Sequence, residues 1–443
     1  MAGAVAPARA CAYAVVRRVF EQGAYADRAL ASEAAGLDGR DRALATSLAY
    51  GTVQRRATLD HVIAALSDRP PERLDPPVLA ALRLGLLQLL FLNGVAEHAA
   101  VHESVELAKA QGHGGAGLVN AVLRRATREG RALVDAMDDH TPMGAAIRHS
   151  VPLWLAELWF AERGPEQART MLAAVNGPPE SALRVNTLVS TPEQVLSTLG
   201  VPAHTVPGLP EALVLDGPFD VFGSAAWAQG AIMAQSRGSM LPARALAPEP
   251  GARVLDLCAA PGAKTTQLAA LMGEGELVAV ERNPSRARGL RATLERMHAG
   301  WVEVREADAT ALSDAARYDA VLVDPPCSGL GTLQSRPDLR WRTSPERITE
   351  LRRTQTAVLS AGARAVKPGG TLVYSVCTIS RTESADVIGA FLTGHPEFTV
   401  EPVTDANEGP FRQTLPHRDG TDGFFMARLR RGGKAWPAVQ RAR

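Results

Sequence analysis

Three of the four cysteines lie in short motifs whose chemistry can be read directly: Asp256-Leu-Cys258-Ala259-Ala260-Pro261-Gly262-Ala263-Lys264, Asp324-Pro-Pro-Cys327-Ser-Gly, and Tyr374-Ser-Val-Cys377-Thr. A thiolate is the side chain nucleophilic enough at neutral pH to add readily to a pyrimidine ring. A cysteine at a strand end is ordinarily a buried structural residue. Here Cys327 and Cys377 close two strands of what reads as one nucleotide-binding sheet, and that pairing reverses the preference. Two thiols over one crevice suit a reaction in two steps: one adds to carbon 6 of a cytosine, raising electron density at carbon 5 for attack on a methyl group, and a second group assists release. An acid placed before two prolines, as Asp324 is, can accept a hydrogen bond from the exocyclic amine of a base. The aromatic residue that follows D-P-P in enzymes acting on the adenine amine is replaced here by cysteine.

The elements that must position these residues alternate from Gly230 onward. Val254–Leu257, Leu277–Val280, Val302–Val304, Ala320–Val323 and Thr371–Ser375 are short β-rich runs, separated by helical stretches such as Ser285–Met297 and Pro345–Val366. That pattern predicts a doubly wound, Rossmann-like α/β domain over 230–431, with ligands at the carboxyl ends of its strands. Phe424–Leu429 reads as a late edge strand. The loop from Cys258 to Lys264 opens a helix at about Thr265, and Glu281 ends the next strand 19 residues after Gly262, where a carboxylate can grip both ribose hydroxyls. A dinucleotide fingerprint needs three glycines, whereas Gly262 stands alone. NAD is therefore not expected, and S-adenosylmethionine is. Asp308, after the third strand, is placed to meet the adenine edge. Only Lys109, Lys264, Lys367 and Lys434 stand against 44 arginines, so a lysine inside the glycine loop points to a role for a compact point charge.

The front of the chain is different in kind. Ala12, Val15, Val16, Val19 and Phe20 follow helical spacing, as do Leu59, Val62, Ile63 and Leu66. Clusters at 37–41, 67–77 and 111–117 separate the helices. An all-helical bundle is predicted over 1–140, with a junction around Asp138–Ser150. A small α+β module follows over 141–229, in which Leu183–Asn186 is a strand and Thr191-Pro-Glu-Gln194 a capping box. The net charge of +1 does not by itself mark a nucleic-acid binder, but charge is segregated. Arginines crowd 336–353, and Arg428, Arg430, Arg431 and Lys434 lead into a basic tail over 432–443. Val78–Leu92 carries Arg83 and Gln88 and reads as a buried helix, not a membrane span. With no signal-like core in Met1–Ala10, the expected location is cytoplasmic. No two cysteines form a C-x-x-C pair, so neither a disulfide framework nor a metal site is expected.

Taken together, D-P-P-C-S-G with the later S-x-C-T resembles the RNA cytosine-5 methyltransferases of the Nol/Nop/Sun family. The segments Asp75–Asn93, Val101–Lys109 and Leu118–Arg125 resemble the NusB family of RNA-binding helical domains. The resemblance covers about nine tenths of the chain and implies its roles residue by residue. Cys377 is the nucleophile and Cys327 the release cysteine. Cys258, Ala259, Ala260, Pro261, Gly262, Ala263, Lys264, Glu281, Asp308 and Asp324 match cofactor-binding positions, with Cys258 performing no chemistry. A NusB-like front implies the family's bacterial 16S rRNA enzymes, acting at the site labelled 967 on unfolded or single-stranded rRNA, with no obligate protein partner. Two departures stand out: Gly262-Ala263-Lys264 where the family has G-G-K, and Ser236 after Gln235 where it has an acid. Another rRNA site or transfer RNA is an alternative substrate. A NusB-like antitermination factor with a dead methyltransferase fold is a rival of another class, against which both intact thiols argue.

Overall fold

A computed structural model describes residues 5–110, 112, 114–403 and 409–432. Lys434 and the tail from 433 onward lie outside the described residues. The chain forms two compact units, residues 1–178 with 333–343, and residues 179–332 with 344–443.

The first unit is helical. Helices Pro7–Glu21, Gly39–Gln54, Arg56–Ser67, Pro76–Phe91, Glu97–Ala110 and Ala116–Arg125 surround one core in which Val16, Leu48, Leu59, Ile63, Leu84, Leu86 and Leu123 are fully buried. Pro76–Phe91 is buried on nearly every face, and its polar residues are satisfied inside the unit: Arg83 pairs bidentately with Asp60 at 2.7 Å, and Gln88 donates to the Leu84 carbonyl. No helix among the described residues is long and apolar enough to cross a membrane. The stretch expected as a junction at 138–150 contains a helix, Pro142–Arg148, which Thr141 caps through the Gly144 N–H. Helices Leu153–Arg163 and Pro165–Ala174 complete the unit.

Residues 333–343 enter the helical unit from a later part of the chain, and their arginines are not a free cationic face. Arg340 is fully buried, and its guanidinium donates to the carbonyls of Gln54, Ser150, Val175 and Leu333 and to Asn176 Oδ1, all within 3.3 Å. Trp341 Nε1 donates to the Val53 carbonyl at 2.7 Å, and Arg342 to the Gly23 carbonyl at 2.5 Å. The arginine-rich stretch thus divides. Arg340 and Arg342 satisfy helix-end and loop carbonyls, while Arg347 and Arg353 stay exposed on helix Pro345–Ala365.

The second unit carries both sheets. Strands β1 (Ala182–Val185), β2 (Ala203–Val206), β3 (Leu209–Leu215) and β4 (Ile232–Ala234) form an antiparallel sheet in the order β2-β3-β1-β4. Thr191 and Gln194 make the reciprocal capping box their spacing predicts. The larger sheet comprises β5 (Arg253–Leu257), β6 (Glu276–Val280), β7 (Glu303–Arg305), β8 (Tyr318–Val323), β9 (Val366–Val376), β10 (Phe398–Glu401), β11 (Arg412–Gln413) and β12 (Phe425–Arg431). Its order is β10-β12-β9-β8-β5-β6-β7, with β11 also on β12; β5 to β9 run parallel and β12 runs antiparallel to β9. The expected edge strand at Phe424–Leu429 is therefore corrected, because β12 is interior. Phe425, Met426, Ala427 and Leu429 are all at most 2% exposed, as a strand covered on both faces requires, and the edge is taken by the four-residue β10.

One close approach ties the strand-end loops together. Gly331 N–H donates to the Cys377 carbonyl at 3.1 Å, and the Gly331 carbonyl accepts from Gly423 N–H at 2.8 Å. A Cβ on Gly331 would lie 1.8 Å from the Gly423 oxygen. Gly331→Ala is accordingly expected to destabilise the protein by about 1–3 kcal/mol through enforced backbone shifts. Thermal denaturation checks this, and an unchanged midpoint would contradict the packing described.

Candidate functional site

The parallel strand order reverses at β5, with β6 and β7 on one side and β8 and β9 on the other. Loops leaving the carboxyl ends on either side of such a switch point open a crevice. Asp256 and Cys258 come from the end of β5, Glu281 from β6, Asp308 from the loop after β7, Asp324 from β8 and Cys377 from β9.

The two sulfurs meet. Cys327 Sγ and Cys377 Sγ are 3.2 Å apart. The contact with Cys377, then burial, then the nearby charges of Glu383 and Asp324 push the Cys327 thiol well above the ordinary thiol range. Asp324 is held in one orientation, with Oδ2 accepting from Lys264 Nζ at 2.7 Å and Oδ1 from Ser375 Oγ at 2.8 Å. Burial works against the Lys264 ammonium, yet Asp324 and Cys377 together raise it above the ordinary lysine value. Lys264 thus supplies a fixed positive charge to the acid and to the Cys377 sulfur, and the Phe424 ring lies 5.1 Å beneath its ammonium. The scarcity of lysine in the chain points to a compact point charge in this loop, and the structure gives it partners.

The Cys258–Lys264 loop is built to come close to a ligand. Cys258 adopts φ 66° and Gly262 φ 104°, and a Cβ on Gly262 would meet Leu290 at 2.8 Å, so glycine is required there. Ala263 opens helix Ala263–Met272 without a positive φ, so its methyl in place of the family's second glycine is accommodated. Burial first, then the carboxylates of Asp324, Asp256 and Glu281, push the Cys258 thiol up to about 12, leaving it neutral. Behind the loop, fully buried Arg184 donates to Gln235 Oε1 at 2.8 Å, Thr266 Oγ1 at 2.6 Å and the Ala263 carbonyl at 3.3 Å. Ser236 caps the following helix through Ser239 N–H.

Glu281 is buried, accepts from Asn283 N–H at 2.9 Å and lies 3.5 Å from Arg286, whose other nitrogen donates to the Ala260 carbonyl. Asp308 stands apart. Its side chain is half exposed and bonded to its own turn through Thr310, which holds its carboxyl below the usual range, with Arg282 3.9 Å away. The structure thus joins Cys377, Cys327, Asp324, Lys264 and the Cys258 loop in one cluster, sets Glu281 beside it, and leaves Asp308 at the rim.

Sequence reasoning overlooked Arg184 and Glu383, because isolated polar residues in loops or short strands carry no periodic signal, and it gave no role to Ser328 and Thr378, although both stand inside the quoted cysteine motifs. It also passed over Asp256 as a binding group. Asp256 is 1% exposed; burial pushes its carboxyl up to about 7, Thr265 Oγ1 donates to one oxygen at 2.6 Å, and Oδ1 has no partner. A buried carboxylate oxygen without a protein partner at a strand end, beside a loop with no room for a Cβ at Gly262 and a second carboxylate at Glu281, fits a small cationic nucleoside ligand.

The chain matches three family models: the NusB family over residues 6–128, the RsmF/B-like ferredoxin-like domain over 151–222, and the 16S rRNA methyltransferase RsmB/F over 243–430. It is 35% identical to a probable ribosomal RNA small subunit methyltransferase B of Bacillus subtilis over 90% of this chain and 92% of that protein. It is 37% identical to the ribosomal RNA small subunit methyltransferase B of Thermus thermophilus over 88% of this chain and 89% of that one. Among solved structures it resembles the crystal structure of PH0851, with a TM-score of 0.81 and 28% identity, over 96% of this chain and 99% of that chain.

The Asp256 carboxyl sets a pH dependence. Below about 7 it is protonated and neutral; above, it is ionised and attracts a cationic amine. Affinity for S-adenosylmethionine is expected to rise from pH 6 to pH 8, by up to about tenfold per unit below the midpoint, and Asp256→Asn should flatten the profile. Calorimetry checks this, and a slope retained in Asp256→Asn would assign the dependence elsewhere.

Proposed function

The chain belongs to the RsmB/F family of 16S rRNA methyltransferases, and from that premise we propose that it methylates carbon 5 of one cytosine in 16S rRNA, the family's position 967, through a covalent cysteine–cytosine intermediate. S-adenosylmethionine is the cofactor and supplies an electrophilic methyl group. The Cys258–Lys264 loop and Glu281 would hold it, with the unpartnered oxygen of Asp256 taking its amine; Asp308 would touch its adenine edge from the rim.

The observation that carries the reading is the 3.2 Å separation of two sulfurs beside an acid and an ammonium. Cys377, next to the Lys264 charge, adds as thiolate to carbon 6. Asp324, oriented by Lys264 and Ser375, retains lone pairs to accept from the cytosine exocyclic amine. Carbon 5 then carries the electron density for methylation. Once Cys377 is a thioether, the largest influence raising the Cys327 thiol is gone. Cys327 then loses its proton to solvent and can act as a base. It takes the carbon 5 proton, the electrons of that C–H bond restore the 5,6 double bond, and the carbon 6–sulfur bond breaks to return the Cys377 thiolate. The resting pair is restored, and the net change is methyl in and proton out.

The target base must leave its stack to reach the sulfurs, so unfolded or single-stranded rRNA is the substrate form. A cytoplasmic location belongs to the same proposal, because that is where the rRNA substrate would be met. The organisation proposed with this chemistry is an RNA-holding helical domain over 1–140, a module over 141–229, the catalytic domain over 230–431 and a basic tail over 432–443.

Incubation with S-adenosylmethionine and protein-free 16S rRNA should give a single cytosine protected from bisulfite conversion; protection elsewhere, or only in transfer RNA, overturns the assigned substrate. On denaturing gels, Cys327→Ala should retain an RNA-linked band and Cys377→Ala should show none, both with turnover lost. The opposite pattern would exchange the two roles.

A further inference from the structure

Glu383 is fully buried, yet its partners among the described residues are all neutral donors. Oε1 accepts from Ser328 N–H at 2.8 Å and Gln355 Nε2 at 2.9 Å; Oε2 accepts from Thr378 Oγ1 at 3.2 Å and from the Ser328 hydroxyl. The Ser328 and Thr378 hydroxyls also meet each other at 2.9 Å, and the Glu383 carbonyl accepts from Tyr374 OH at 2.7 Å. Burying a carboxylate away from any cation is costly, and a fold that needed only packing here would fill the space with apolar atoms.

What this carboxylate joins gives it a purpose. Ser328 follows Cys327 and Thr378 follows Cys377, so the two hydrogen-bonded residues are the immediate neighbours of the two sulfurs, on loops leaving different strands. Gln355, which donates to the same oxygen, also donates to the Pro326 carbonyl at 3.1 Å, fixing the residue before Cys327. One side chain thereby joins the two loops beside their main-chain tie at Gly331 and Cys377, at a separation the sheet alone leaves to loop conformation.

We propose that Glu383 is a positioning residue for methyl transfer, holding the Cys327 and Cys377 loops at reacting separation through Ser328 and Thr378; this rests on the cysteine roles proposed above. Its charge also reaches the Cys327 sulfur. The groups facing Cys327 are Cys377, Glu383, Asp324 with its Lys264 partner, and Tyr374, and Glu383 is among those that push the Cys327 thiol up. Without the Glu383 charge Cys327 becomes a more acidic thiol, a shift that reports their proximity, while the charge-assisted hydrogen bonds that seat Ser328 and Thr378 weaken and the loop separation is lost.

Glu383→Gln preserves shape and removes the charge, and calorimetry with S-adenosylmethionine establishes that the site remains folded. Turnover should fall on the order of 100-fold, within the range a positioned acid–base group contributes, with an RNA-linked band accumulating as in Cys327→Ala. A second readout needs no RNA. In a Cys377→Ala background, the pH profile of Cys327 alkylation by iodoacetamide should move to lower pH by about one unit when Glu383→Gln is added, a tenfold rise in rate below the midpoint. A merely structural role would lower cofactor binding, adduct and turnover together and leave the alkylation profile in place; that result overturns the proposal. An unchanged profile with wild-type turnover overturns it as well. Should Cys327→Ala form no adduct, the cysteine roles fall on that control alone, and the alkylation shift still decides whether Glu383 acts on Cys327.

Discussion

Two thiols 3.2 Å apart in a buried crevice cannot both carry charge without a large mutual penalty, and the rest of the site is arranged around that constraint. Cys327 is the partner pushed toward the protonated form. Lys264 brings its ammonium to the other, and Asp324 anchors Lys264 in turn. An ion pair so placed contributes little through its own attraction once desolvation is counted. Its value lies in direction, since it fixes where positive charge sits before any substrate arrives.

A parallel sheet is suited to maintaining such a separation. The strands that deliver Asp324 and Cys377 are hydrogen-bonded neighbours, Ala320 to Val323 registering with Thr371 to Tyr374, so the loops leave from fixed points about one strand spacing apart. The remaining freedom lies in the loops. There the sequence places prolines at 325 and 326, a glycine pair at Gly331 and Gly423 that admits no side chain, and the Glu383 carboxylate. On the cofactor side, Arg184 restrains the loop ending in Lys264 by holding the carbonyl just before it. Precision at the sulfurs is therefore inherited from main-chain hydrogen bonds and completed by two buried polar side chains, Glu383 and Arg184.

Much of this was legible beforehand. The parallel strands announced themselves as short apolar runs separated by helical stretches, and each motif sat at a predicted strand end, so the crevice and its two cysteines followed from topology. The front helices were legible from their 3.6-residue period. What escaped were features with no period. Glu383 lies in a short Arg-Thr-Glu-Ser loop that resembles any surface turn. Arg340 sits in a run of arginines that reads as segregated charge, although its guanidinium is consumed by five acceptors inside the helical unit. β10 was too short to register, and its omission made β12 look like an edge. Long-range hydrogen bonds depend on three-dimensional proximity, which local composition does not encode.

The central claim is that Cys377, not Cys327, forms the bond to the base. An RNA substrate carrying 5-fluorocytidine at the target position tests it most directly, because fluorine at carbon 5 cannot leave as a proton does and the adduct stalls after methyl transfer. Protease digestion of the trapped complex and mass spectrometry of the RNA-linked peptide then identify the attached residue. The account predicts the link on the peptide containing Cys377 and none on that containing Cys327; a nucleotide mass on Cys327, or no covalent species with methylation intact, would contradict it.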